Sequence, residues 1–252
     1  MEDRKKYRKF IKSSLNHSFQ VTSLETNLLI QCEKDLKARA TDAVYKYRNY
    51  ISEYILKNPL FQKTLEPLVI KEPCHRMIKE MSEASVLAGV GPMASVAGIV
   101  AEYTGLELLK YSNQVIVENG GDIFIKVDKP LTMGIYAGSS PLSMKIGVRI
   151  SEKEQISVCT SSGTIGHSLS MGKSDAVCVI SKSSAIADAA ATSIGNKVKS
   201  EKYIEDAIAF GKGIDGVLGI IIIVNDNMGA WGDIDLIKLW IKLNFMYKDI
   251  YY

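Results

Sequence analysis

The sequence predicts an α+β domain in which helices pack on an antiparallel or mixed sheet. Three observations lead there. Short β-branched and apolar runs recur between glycine and asparagine turns, as strands require. Longer stretches carry apolar or small residues at helical spacing. No Pro/Ser-rich linker interrupts the 252 residues, so one compact domain is expected rather than two. Length alone allows either, at roughly 150 residues per domain.

The elements follow in order. Residues 19–31 (FQVTSLETNLLIQ) are β-branched and partly alternating, which predicts a strand or hairpin edge. From 35 to 56, Leu36, Ala40, Val44, Tyr47 and Ile51 recur at helical spacing with charges elsewhere. Asn58-Pro59 ends that helix, because proline biases its predecessor towards extended structure. A connector over 64–73 and a helix over 75–84 come next. Residues 84–105 are rich in Gly, Ala and Ser and nearly free of charge. They predict a loop at 89–92 and a tightly packed helix over 93–109, since small residues let backbones approach closely. Strands at 115–117 and 123–127 are joined by Glu118-Asn119-Gly120-Gly121-Asp122, whose core tolerates positive φ.

Further strands are expected at 132–137, 144–150 and 156–160, the last leading into a Ser/Gly-rich loop over 161–173. A buried strand over 175–180 precedes a helix over 185–198, N-capped by Ser183 or Ser184. A short helix over 204–212, a buried strand over 218–224, a turn over 225–232 and a strand or helix over 234–244 complete the chain. Residues 1–83 thus form a strand–helix part, 84–200 a core bearing the motifs, and 201–252 a completing part. The echo of Gly121-Asp122-Ile123 in Gly232-Asp233-Ile234 hints at an internal duplication.

Composition excludes several functions. At 46% hydrophobic and 23% charged, the chain can fold and bury a core without staples. A net charge of +3 is too balanced for a dedicated nucleic-acid binder. The basic opening has no apolar run behind it, which argues against a signal peptide or lipoprotein leader. The apolar run over 217–224 is too short to span a bilayer, which takes about 20 residues. A cytoplasmic protein without a membrane partner is expected. Cys32, Cys74, Cys159 and Cys178 are scattered, as unpaired thiols in a reducing compartment would be.

Three segments can carry chemistry. In Ala187-Asp188-Ala189-Ala190-Ala191-Thr192 a carboxylate and a hydroxyl stand one helical turn apart. They offer hard oxygen ligands suited to Mg²⁺ or Ca²⁺. The same spacing also fits an Asp favoured by the helix dipole and a Thr bonding back into its helix. In Asn119-Gly120-Gly121-Asp122, backbone N–H groups can form an anion-binding nest beside a carboxylate; a plain hairpin turn would look the same. The loop containing Thr160, Ser161, Ser162, Gly163 and His167 offers hydroxyls and amides for a phosphate, with His167 as acid or base. A polar surface loop is the competing reading.

Taken in order, these segments resemble the ApbE superfamily, the FAD:protein FMN transferases. Gly91-Pro92-Met93-Ala94-Ser95-Val96 stands where the family has Gly-Gly-Ile-Ala-Lys-Gly. Gly120-Gly121-Asp122-Ile123 matches a Gly-Gly-Asp-Ile turn, residues 160–167 a Thr/Ser-rich loop with a histidine, and Ala187 to Thr192 an Ala-Asp-Ala-x-Ala-Thr helix. The resemblance spans roughly residues 84–196. It implies a fold of the tunnelling type, Mg²⁺ held by Asp188, Thr192 and the Ala94 carbonyl, and FAD or FMN as the flavin ligand. It also makes a homodimer plausible. Two motifs depart: Ser95 replaces the lysine, and the His-x-x-Asp-Pro-x-Thr-Gly stretch is reduced to His167-Ser168-Leu169-Ser170-Met171-Gly172. Three functions follow: a Mg²⁺-dependent enzyme acting on FAD or another nucleotide diphosphate, a non-catalytic binder of such a ligand, or a hydrolase using His167 with Ser162 or Ser168.

Overall fold

A computed structural model of the chain describes residues 8, 15–151, 155–163 and 172–239. The first strands, β1 (His17–Ser23) and β2 (Thr26–Cys32), form the expected hairpin. Then come α1 (Lys37–Lys57), α2 (Leu60–Lys63), α3 (Arg76–Ala88) and α4 (Val96–Leu108). A second hairpin, β3 (Val115–Asn119) and β4 (Asp122–Lys126), follows. Strands β5 (Leu131–Gly134) and β6 (Ile146–Ile150) lead to β7 (Ile156–Ser161) and β8 (Ala176–Ser181). Helices α5 (Ser184–Lys197) and α6 (Ile204–Lys212), then β9 (Val217–Val224), β10 (Asn227–Gly232) and β11 (Asp235–Lys238), complete the described chain.

Eight strands form one antiparallel sheet in the order β1-β2-β3-β4-β7-β8-β9-β10; β11, β6 and β5 form a small second sheet. The α+β expectation therefore holds. The large sheet contains the same unit twice: a hairpin, intervening helices, and a second hairpin that pairs beside the first. Period-two alternation sends Val177 and Val179 of β8 and Ile220, Ile222 and Val224 of β9 onto α5 and α6. Their neighbours Ala176, Cys178, Ile180, Ile221 and Ile223 pack with Val148 and Ile150 of the small sheet. Both faces of these strands are covered, which is why their sequence is continuously apolar. On the other half, Ala40 and Val44 of α1 and Ala101 and Leu108 of α4 pack on Leu28, Ile30, Val115 and Val117. The expected α1 stripe is thus buried.

Several boundaries differ from the expectations. The helix foreseen over 93–109 opens with a 3-10 turn, Pro92–Ser95, before α4. The foreseen strand over 132–137 is only Leu131–Gly134, and that over 144–150 begins at Ile146. The short helix α2 was not foreseen. Residues 225–232 are not a turn: Asn225 and Asp226 make the turn, and 227–232 form edge strand β10. Its sequence NMGAWG hides the strand, because two glycines remove the alternation and its outer side is largely exposed. Ser183, rather than Ser184, caps α5 by accepting the Ile186 N–H.

Candidate functional site

The two helices that matter cross at their first turns. Gly98 of α4 has no side chain because there is no room: a Cβ there would lie 2.6 Å from the Ser184 carbonyl oxygen and 2.9 Å from Asp188 Cβ. That approach lets each helix cap the other. The Gly98 N–H donates to Asp188 Oδ2 at 2.8 Å, and the Ser184 N–H donates to Glu102 Oε2 at 2.7 Å. Each carboxylate thus satisfies an N–H that a first helical turn leaves without an intrahelical partner. Both carboxylates are buried, and burial pushes each pKa up to about 7 against the pull of those backbone N–H groups. The Ser184 hydroxyl continues inward to Ser157 at 2.5 Å.

The β3–β4 turn closes the site from the sheet side. Gly120 and Gly121 have φ of +70° and +116°, a backbone that side-chain-bearing residues rarely adopt. Glu118 Oε1 accepts the Gly121 N–H at 3.0 Å, and Asn119 Nδ2 donates to the Ala97 carbonyl in the first turn of α4 at 3.0 Å. Asp122 follows, buried, with its Oδ1 lacking a hydrogen-bond partner among the described residues. Burial and then the Asp188 charge push its carboxyl well above the usual range; the Cys159 thiol and Thr160 backbone pull it back only in part. Among the described residues neither Asp122 nor Asp188 has a Lys or Arg partner.

The structure therefore gathers Asn119, Gly120, Gly121, Asp122 and Asp188 at the first turn of α4. Ala94 lies half-buried in the 3-10 turn that leads into α4 and packs beside Ala185 and Ala189 of α5. Thr192 is half-buried one turn beyond Asp188. Ser161 is buried, and its hydroxyl has no hydrogen-bond partner among the described residues. Thr160 is divided: its carbonyl lies by Gly121, whereas its hydroxyl meets Cys178 on the far face of the sheet. Ser162 is half-buried, and Gly163 donates its N–H to the Ser174 carbonyl at 2.9 Å. His167 and Ser168 lie outside the described residues.

Glu102 was not foreseen, although it is one of only two charged residues in α4, a signal in itself. Cys159, also missed, carried no such mark. All four cysteines are unpaired, as expected.

No three His, Cys, Asp or Glu side chains among the described residues converge as a metal site. A divalent cation here would have to complete its shell with hydroxyl, carbonyl or ligand oxygens. The donor set fits one. Two buried carboxylates with no basic partner among the described residues, one with an oxygen that none of those residues hydrogen-bonds, are costly until a cation compensates them. No single helix among the described residues is long and apolar enough to cross a membrane.

Known proteins agree with this architecture. A family model described as AbpE bacteria matches residues 8–227. A UPF0280 protein of Methanocaldococcus jannaschii is 41% identical over 225 residues, covering 85% of this chain and 90% of its own. One from Methanococcus aeolicus is 37% identical over 222 residues, with the same coverage. Among solved structures, the apo flavinyl transferase ApbE of Pseudomonas stutzeri superposes with a TM-score of 0.58 at 14% identity, covering 85% of this chain and 93% of that one. A histidine-to-glycine mutant of the Vibrio cholerae flavin transferase ApbE gives 0.57 at 12%, covering 85% and 96%. The chain shares the ApbE fold, and with the UPF0280 proteins it belongs to the family described as AbpE bacteria.

Proposed function

We propose that this chain is a Mg²⁺-dependent enzyme of the FMN-transferase type, acting on FAD or a related nucleotide diphosphate. The observation that carries the reading is the buried Asp122–Asp188 pair, which lies beside a glycine turn and has no basic partner among the described residues. Asp188 and Thr192, with the Ala94 carbonyl, are the residues that would hold the ion. Bound there, Mg²⁺ would neutralise the charge that develops on a pyrophosphate during phosphoryl transfer. Gly120, Gly121 and the Ser161 hydroxyl would contact phosphate oxygens, and Asn119 holds the glycine turn against α4. Attack by an acceptor hydroxyl would form one phosphoester bond and break the pyrophosphate, with AMP leaving. The hydroxyl proton needs a base, for which His167 is the candidate.

One observation favours a second reading, a binder without transfer chemistry. Ser95, where the resemblance has lysine, is buried and donates its hydroxyl to the Pro92 carbonyl at 2.8 Å, so no cation comes from that position. Product analysis separates the two. Incubated with FAD, Mg²⁺ and a Thr- or Ser-bearing acceptor, the enzyme releases AMP, and Asp188→Ala abolishes the release. A binder returns FAD intact.

A further inference from the structure

The Gly120-Gly121 turn is held by a buried ion pair that reaches back to the start of the chain. Glu118 is nearly inaccessible and uses both carboxylate oxygens: Oε1 accepts the Gly121 N–H at 3.0 Å, and Oε2 meets Arg8 Nε at 2.5 Å. Arg8 is itself buried, with its other nitrogens on the Asn27 side-chain oxygen at 2.5 Å and the Asn27 carbonyl at 2.8 Å. Asn27 belongs to β2, which pairs with β3. The guanidinium therefore ties the β1–β2 hairpin to the carboxylate that sets the glycine turn.

We infer that Arg8 and Glu118 are positioning residues for the Asn119–Asp122 turn, with Arg8 serving as a charge-balancing latch. Glu118 shapes the turn by fixing the Gly121 N–H. Arg8 offsets at Glu118 a negative charge that would otherwise act on Asp122 and Asp188. With Arg8 present, the charge without a basic partner among the described residues is that of two carboxylates, which matches one divalent cation. This rests on the Mg²⁺ and flavin reading for the ligand, but the latch itself can be tested without any ligand.

The variants are Arg8→Ala, Glu118→Ala and the double variant Arg8→Ala/Glu118→Gln, each followed in two ways. Hydrogen exchange of the Gly121 amide reads the turn in the ligand-free protein. Titration with FAD and MgCl₂ reads the site. Glu118→Ala should speed Gly121 exchange and weaken Mg²⁺-dependent FAD binding about tenfold, because the N–H loses its charged acceptor. Arg8→Ala should do the same, because Glu118 Oε2 loses the guanidinium that helps hold the carboxylate on the turn. The double variant should recover both readouts to within about threefold of wild type, since a neutral amide oxygen can still accept the N–H.

A merely structural ion pair would lower melting temperature while leaving exchange at Gly121 and FAD affinity unchanged, and the double variant would be no better than Arg8→Ala. Either result overturns the latch. If wild-type protein binds neither Mg²⁺ nor FAD, the functional reading fails, and Gly121 exchange in the three variants still decides the latch.

Discussion

A carboxylate that accepts a backbone N–H at a helix N-terminus is normally drawn towards its charged form. Asp188 is instead pushed up to about 7, because burial outweighs the bond from Gly98. Glu102 behaves alike at the opposite helix. The sign of the linkage follows. Unfolded carboxyls ionise near 4, folded ones near 7, so between those values the native state holds more protons. Stability from these groups is full below about pH 4 and is lost as pH rises through about 7. The protein without metal should therefore lose on the order of 1–3 kcal/mol between pH 5 and 8. Because a cation binds the ionised form, MgCl₂ should raise the melting temperature at pH 8 and barely at pH 5. Asp188→Asn, which retains an acceptor for Gly98, should reduce the pH dependence to the share that Glu102 keeps and abolish the Mg²⁺ effect. An equal Mg²⁺ response in wild type and variant would exclude Asp188 as a ligand. The sequence made Asp188 and Asp122 visible through their motifs. It did not reveal that both would be buried with no basic partner among the described residues, which depends on contacts between α5, α4 and β4 across long stretches of chain.

Among the elements, α4 and α5 are the pair on which the site depends. Their mutual caps need the backbone approach that Gly98 permits. Gly98→Ala would gain about 1 kcal/mol of intrinsic helix propensity, yet its Cβ would lie 2.6 Å from a backbone oxygen that cannot rotate away. The net expectation is a loss of about 1–3 kcal/mol in urea unfolding, typical of overpacking. A stabilised variant would show that the helices can separate without cost. The small-residue run over 84–105 announced close packing, and the Ser183 cap, α6 and the buried strand β9 were legible from periodicity and capping chemistry. Strand β10 was not, because an exposed edge rich in glycine carries neither alternation nor an apolar run. Within the 3-10 turn at Pro92–Ser95, Pro92 reads as loop and Met93 to Ser95 as α-helix, because composition does not distinguish the two helix types.

At the scale of the molecule, two hairpin–helix–hairpin units lie side by side in one eight-stranded sheet, and the site forms where α4, the last helix of the first unit, meets α5, the first helix of the second. The echoed Gly-Asp-Ile hinted at this duplication but does not mark it. Gly121 sits in the turn between β3 and β4, whereas Gly232 ends β10, so the two are not equivalent positions. The repeat lies in topology, which sequence can lose while hydrogen-bonding order remains. The central claim is that this junction is a Mg²⁺-dependent flavin nucleotide site. Fluorescence titration of the wild-type protein with FAD, with and without MgCl₂ and with Asp188→Ala as the control, tests it most directly. The account predicts saturable quenching that requires Mg²⁺ and disappears in the variant. No binding up to high micromolar FAD, or binding indifferent to both Mg²⁺ and Asp188, would contradict it.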